Sequence, residues 1–210
     1  MTHTIYNGSS SACFLLDGDT PYYAKSAYTV FVNGEERFRR DTNVFSLFGL
    51  TPDTEYTVAI RFDGSGAEEL VKFKTGGETC CVNVRDFGAV GDGVHEDTAA
   101  IQAAIGFLPE GGRLWFPAGT YLSLPLCLKS HITLDLDEGA TILGSTDRAR
   151  YPIIPSFTVD PVTGKETLQA GFEGQELDSY QSLIQASYAE DIAIVGKGTI
   201  DGNGQNGDWW

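Results

Sequence analysis

The chain has 210 residues, 14 Lys and Arg against 29 Asp and Glu, and a formal net charge of −15. Its 41% of hydrophobic residues can build a real core, as one large domain or two modest ones. It holds no run of about 18 apolar residues, which excludes a membrane-spanning helix, and no basic run, which disfavours a nucleic-acid partner.

The acidity is spread along the chain. Residues 1–80 carry 7 basic and 11 acidic side chains, and residues 81–210 carry 7 and 18. Because charges are screened beyond about 8 Å at physiological salt, this balance neither supports nor excludes an acidic ligand. The opening MTHTIYNGSSSACFLLDGDT has no basic segment ahead of an apolar core, so it is not a secretory signal. A cytoplasmic location is the expectation, or an extracellular or periplasmic one if a leader has been removed. Cys13, Cys80, Cys81 and Cys127 form no C-x-x-C pair and no regular framework, as expected of reduced thiols in a reducing compartment. His3, His95 and His131 stand at no metal-ligand spacing, so neither a metal nor a cofactor is expected.

Residues 1–77 read as a small β-sandwich. Strands are predicted near Ile5 and over Ala12–Leu16, Tyr28–Val32, Arg37–Arg40, Val44–Leu47, Tyr56–Phe62 and Leu70–Lys74. Asn33-Gly34 is the pair a two-residue hairpin favours, since both positions tolerate positive φ. Tyr56, Val58 and Ile60 alternate with Thr57, Ala59 and Arg61, as in a half-buried strand. The segment Leu50-Thr51-Pro52-Asp53-Thr54-Glu55-Tyr56-Thr57-Val58 resembles a fibronectin type III domain. That resemblance implies a tyrosine corner, with Tyr56 hydrogen-bonded to upstream backbone. The exposed pair Tyr22 and Tyr23 offers this domain a carbohydrate-binding role; packing beside its neighbour is the favoured one. Gly76-Gly77-Glu78 leads into a linker over 78–82.

From residue 83 the pattern changes. Ala100, Ile101, Ala104, Ile105 and Leu108 fall on one helical face. Asp97 stands at the N-cap position, able to accept the free N–H groups of the first turn, and Pro109, Gly111 and Gly112 end the segment. Gly88, Gly91 and Gly93 ahead of the helix imitate a dinucleotide fingerprint, but the third glycine of G-x-G-x-x-G is missing. Glu96 and Asp97 would also put negative charge where a phosphate sits, so a plain tight turn is expected. An amphipathic helix must cover something. It fits either the open end of a strand solenoid or the face of an open sheet, and these residues alone do not choose.

Beyond it, short strands are predicted at Leu114–Phe116, Ile132–Leu136, Thr141–Leu143, Ile192–Val195 and Thr199-Ile200, spaced inexactly near the period of a solenoid coil. Alternation sends Ile132, Leu134 and Leu136 inward and leaves Asp135 and Asp137 on a solvated face. Tyr151–Tyr180, with Pro152, Pro155, Pro161, Gly164, Gly171 and Gly174, reads as an excursion from the solenoid wall.

The runs DFGAVGDGVHEDTAAIQAAI, GGRLWFPAGTYL, LCLKSHITLDLDEGATILGS and EDIAIVGKGTIDGNG, with Trp209-Trp210, resemble the N-terminal half of polygalacturonase-type enzymes, glycoside hydrolase family 28. The likeness covers residues 82–210, and a group of exo-acting members is similar in carrying a fibronectin type III domain in front. The resemblance implies an all-β chain: a fibronectin type III-like sandwich over 1–77, then the first coils of a right-handed parallel β-helix over 83–210, capped by one α-helix and truncated. It implies a pectic polysaccharide or oligogalacturonide as substrate and inverting hydrolysis of α-1,4-galacturonosyl bonds by paired carboxylates. The family's signatures Asn-Thr-Asp, Asp-Asp, Gly-His-Gly and Arg-Ile-Lys are absent here, so no catalytic residue is assigned and the chain alone is expected to be inactive. Candidate substrate-binding residues are Glu173, in a family-like Phe-Glu-Gly segment where Gly171 replaces the family's arginine, and Trp209 and Trp210, which could stack on sugar rings. The alternative is a non-catalytic, trimeric glycan-binding β-helix of the tail-spike or adhesin kind.

Overall fold

Alternating apolar residues build the first of the two units into which the chain divides, Met1–Glu78 and Thr79–Trp210. The computed structural model describes residues 1–18 and 20–208. Seven strands make the first unit: β1 (Thr2–Asn7), β2 (Ser11–Leu16), β3 (Tyr23–Val32), β4 (Glu35–Thr42), β5 (Val44–Phe48), β6 (Glu55–Phe62) and β7 (Glu68–Lys74). They pair antiparallel in two sheets, β1-β2-β5 and β4-β3-β6-β7. Ala12, Phe14, Leu16, Phe45 and Leu47 from the first sheet meet Val30, Val32, Val58 and Ile60 from the second in one buried core. The rings of Phe14 and Phe45 stack at 5.0 Å within it. Asn33 (φ 50°) and Gly34 (φ 86°) make the left-handed pair expected of the β3–β4 hairpin. The Tyr56 hydroxyl accepts from the Thr51 N–H at 2.9 Å, so the tyrosine corner is present. Tyr28 is fully buried and donates to the Thr42 carbonyl at 2.9 Å. Burial pushes its pKa to about 12.

The second unit is a solenoid of parallel strands. It runs β8 (Cys81–Asn83), β9 (Asp92–Glu96), α1 (Thr98–Phe107), β10 (Gly112–Phe116), β11 (Gly119–Ser123), β12 (Leu126–Cys127), β13 (Ile132–Leu136) and β14 (Ala140–Gly144). An excursion follows, made of the short strands β15 (Ile153–Ile154), β16 (Phe157–Val159), β17 (Glu166–Leu168), β18 (Gly171–Phe172), β19 (Gln175–Glu176) and β20 (Ser179–Tyr180). The solenoid resumes with β21 (Ile184–Gln185), β22 (Ile192–Gly196) and β23 (Thr199–Asp201). Successive coils pair in three parallel sheets: β8-β10-β13-β22, β9-β11-β14-β23 and β12-β21. Leu114, Leu134 and Ile194 fall in one register column, as do Ile142 and Ile200.

The turns into β10, β13 and β22 repeat one backbone device. Gly111 (φ 73°), His131 (φ 59°) and Asp191 (φ 55°) precede β10, β13 and β22 in the left-handed region. They are laced by Gly111 N–H to His131 O at 2.7 Å and His131 N–H to Glu190 O at 3.0 Å. The turn Gly196-Lys197-Gly198 crosses the coil below so closely that glycine is required. A Cβ at Gly196 would lie 2.0 Å from the Leu136 carbonyl oxygen, and one at Gly198 would lie 2.5 Å from the Leu136 Cβ.

Helix α1 is the lid. Ile101, Ala104, Ile105 and Leu108 belong to one buried cluster with the coil interior, including Leu114, Phe116 and Leu134. Burying Ile101, Ile105 and Leu108 contributes about 1.5–3 kcal/mol each. Polar bonds fix the register of the lid. The Gln102 amide both donates to and accepts from the Cys127 backbone, at 2.9 Å each way, extending the ladder that β21 makes with β12. Thr98 Oγ1 accepts from Leu124 N–H at 2.9 Å. Lys129 Nζ donates to the carbonyls of Gly106 and Leu108 at 2.9 and 2.5 Å, neutralising the helix C-terminus.

Two expectations are corrected. Asp97 does not cap the helix with its side chain. Its buried carboxylate accepts instead from Val90 N–H at 2.6 Å and Gly91 N–H at 3.0 Å, holding the glycine turn closed. The carboxylate thus holds the turn from within and puts negative charge beside the start of α1, where it disfavours a phosphate. Asp135 is not solvated either, because Arg113 from the neighbouring strand pairs with it at 2.9 Å and both side chains are less than one-fifth exposed. The alternation places Asp135 correctly on the outer face but carries no information about the long arginine lying across it.

Tryptophan 115 and the terminal pair are the chain's three tryptophans, so intrinsic fluorescence reports the second unit. In urea, Ile105→Ala should cost about 2–5 kcal/mol of that transition, and Gln102→Ala about 1–3 kcal/mol from the unpaired Cys127 backbone groups. Unchanged midpoints for both would contradict the lid's role.

Candidate functional site

Hydrogen bonds and one ion pair brace the turn after β14. Tyr151, 7% exposed, donates its hydroxyl to Ser145 O at 3.0 Å. Arg150 reaches both carboxylate oxygens of Glu96 on β9. Across the turn, Asn203 Nδ2 donates to Gly144 O at 2.9 Å, and Asn203 Oδ1 accepts from Asn206 Nδ2 at 2.7 Å. The Asp-Gly-Asn-Gly segment is thus a brace, and it brings Asn206 and Asp208 beside Arg148.

Together they line a groove of about 550 Å3 with Thr146, Asp147, Arg148, Tyr180, Asn206 and Asp208 on its wall. The Arg148 guanidinium donates to the Asp208 backbone carbonyl at 3.0 Å and to its carboxylate at 3.2 Å. Its Cζ stands 5.9 Å from the centre of the Tyr180 ring. Arginine presents five N–H donors in a planar fork suited to a carboxylate, and a neighbouring phenol ring offers a flat partner for a sugar face. No histidine lines the groove. The groove thus sets one guanidinium and two carboxylates beside an aromatic ring.

The chain's marked titration partners lie elsewhere, at the exposed turn of β9. Asp92 accepts from the Val94 and His95 N–H groups at 2.9 Å each, and its other oxygen lies 2.6 Å from His95 Nδ1. The His95 backbone N–H first, then that of Val94 and the His95 ring, pull the Asp92 carboxyl down to about 2. The same carboxylate raises the pKa of His95.

Glu173, singled out from sequence, sits at an exposed hairpin tip between β18 and β19 with φ 50°, and does not line the groove. Trp209 and Trp210 lie outside the described residues. Tyr22 and Tyr23 are exposed, at 72% and 58%. Sequence reading missed Arg148, Tyr180, Asn206 and Asp208. Only the Arg148-Ala149-Arg150-Tyr151 run gives a local signal, two arginines straddling a turn; the others arrive by topology.

A family model described as rhamnogalacturonase A/epimerase, pectate lyase-like, matches residues 81–148. Over 164 residues the chain is 38% identical to an exo-poly-α-D-galacturonosidase of Dickeya chrysanthemi, covering 74% of this chain and 26% of that protein. It is also 38% identical over 131 residues to plasmin and fibronectin-binding protein A of Streptococcus pneumoniae, covering 60% and 16%. Among solved structures, a family 28 exopolygalacturonase of Yersinia enterocolitica superimposes with a TM-score of 0.65 at 28% identity, covering 97% of this chain and 40% of that one. The chain therefore spans about a quarter or less of the curated relatives named here.

The His95 pair carries a pH prediction. A raised histidine pKa means that the interaction is complete below the ordinary value of 6.5 and is lost as pH rises through the folded value. Asp92→Asn should lower the His95 pKa in an NMR titration; an unmoved value would contradict the pairing.

Proposed function

The second unit is a polygalacturonase-like β-helix region of glycoside hydrolase family 28, preceded by a fibronectin type III-like part and partial relative to its relatives, and on that premise we propose that the chain is the substrate-holding portion of a pectin-degrading hydrolase. The reaction is exo-acting, inverting hydrolysis of α-1,4-galacturonosyl bonds. In such hydrolysis one carboxylic acid protonates the leaving oxygen while a second carboxylate activates water on the opposite face. The family signatures for these carboxylates do not occur in the 210 residues, so this chain's contribution is binding and orientation.

The observation that carries the reading is Arg148 beside the Tyr180 ring in an open groove. Arg148 donates from its remaining guanidinium N–H groups to a galacturonate carboxylate, and Tyr180 lies against the sugar ring. Asp208, already bonded to two guanidinium nitrogens, fixes the fork's orientation. Arg148→Ala should weaken galacturonate binding by about 10- to 100-fold, the weight of a charge-assisted hydrogen bond, measured by calorimetry. Arg148→Lys, a point charge without the fork, should recover only part. Equal affinity in all three proteins would overturn the role. The chain alone should release no reducing ends from polygalacturonate, and measurable turnover would place working carboxylates inside it.

The similarity to the plasmin and fibronectin-binding protein A of Streptococcus pneumoniae favours a second reading, a non-catalytic binding β-helix of the adhesin kind, with a glycan as its proposed ligand. It predicts a trimer in sedimentation. A trimer that binds galacturonan without turnover would move the assignment to this reading.

A further inference from the structure

A second groove, of about 330 Å3, opens in the same unit where the excursion returns to the solenoid. Its polar lining includes Thr158, Thr167, Gln169, Gln185, Ser187 and Tyr188. Ile154 and Leu168 add apolar surface, and no lining residue bears a formal charge. The contrast with the first groove is direct. Arg148, Asp147 and Asp208 line one, and only amides, hydroxyls and carbon line the other. The two lie along one short stretch of chain, since Tyr180 lines the first and Ser182 the second.

The hydrogen bonding inside this groove is incomplete in an informative way. Gln185 Nε2 donates to Ser187 Oγ at 3.1 Å, and Gln169 Nε2 donates to the same oxygen at 3.5 Å. Two donors occupy both lone pairs of that hydroxyl, so its own proton is left to donate. Gln185 Oε1 is shielded from solvent and has no partner among the described residues. A buried acceptor left without a donor costs about 1–3 kcal/mol. An arriving hydroxyl that reaches this oxygen supplies the missing donor. Thr158 and Thr167 face each other across the β16–β17 hairpin, which puts their hydroxyls on one side of it. Tyr188, at φ 52° and 49% exposed, presents its ring at the rim.

We infer that this groove binds an uncharged pyranose ring. Sugar hydroxyls are donors and acceptors at once, which matches a lining that offers an unpaired carbonyl, a free hydroxyl proton and a pair of threonines. The Tyr188 ring and the Ile154 and Leu168 side chains suit the C–H face of the same ring. A carboxylate would enter without a cation to meet it and would lose its hydration uncompensated. The groove therefore selects a neutral unit, whether a neutral sugar or a uronate whose carboxyl is esterified. The inference is independent of the role given to Arg148.

The test is a titration of the 210-residue chain, followed by NMR at the Gln169 and Gln185 side-chain amides and the Ser187 and Tyr188 backbone. The probes are methyl α-D-galactopyranoside, the methyl ester of methyl α-D-galacturonate, and the free acid of that glycoside. The two neutral probes should give saturable shifts at these residues with a Kd of about 1–10 mM, as for a single ring with few contacts. The free acid should bind there at least about 10-fold more weakly, the effect of one uncompensated charge. A response to one neutral probe alone identifies which source the groove prefers and supports the assignment. Ser187→Ala and Gln185→Asn should each weaken binding of the neutral probes. Absence of saturable shifts with both neutral probes up to about 50 mM, or equal binding of the free acid at these residues, would overturn the inference.

Discussion

Everything in the second unit depends on closing the open end of a stacked-strand coil. Parallel strands pair through the backbone, so each coil satisfies its neighbours, but the first coil has an apolar interior and no coil before it. Helix α1 meets that requirement with Ile101, Ala104, Ile105 and Leu108. Its polar bonds to the loop around β12, through Gln102 and Lys129, decide how it sits. The glutamine is the telling residue. Its side-chain amide takes the place of a strand on the β12 edge, so the lid joins the ladder as well as the core.

A scaffold fixed in this way leaves its connections free to vary, and both grooves are built mainly from the excursion and the turns around it. The strands β13 and β22 are paired residue for residue, although the whole excursion from β15 to β20 intervenes between them. The excursion can therefore carry hydroxyls and amides without disturbing the register beneath. Asp97 and Asn203 show the complementary economy. Each spends its polar atoms on holding a turn.

The fold was legible in the chain because burial there is periodic. Tyr56-Val58-Ile60 and Ile132-Leu134-Leu136 announce strands by alternation, and Ile101-Ile105-Leu108 announce a helix by spacing. What alternation cannot carry is the partner across the sheet, so Asp135 was placed on the right face with the wrong environment. The candidate site was scarcely legible. Arg148 and Asp208 stand sixty residues apart and meet, with Tyr180, only because one coil is lengthened by the excursion, and no local pattern in the sequence encodes that meeting. Glu173 attracted notice through a local resemblance, yet a Glu-Gly pair at φ 50° and 79° is also what a tight hairpin tip demands.

Hydrogen exchange of the intact chain tests the central claim most directly. If the helix is the closing element of the coil, the interior amides of Ile101 to Ile105 should exchange as slowly as those of β10 and β13, since their opening would expose the same core. Helix amides exchanging about 100-fold faster or more, while the strands stay protected, would mean that the coil does not need its lid and would contradict the account.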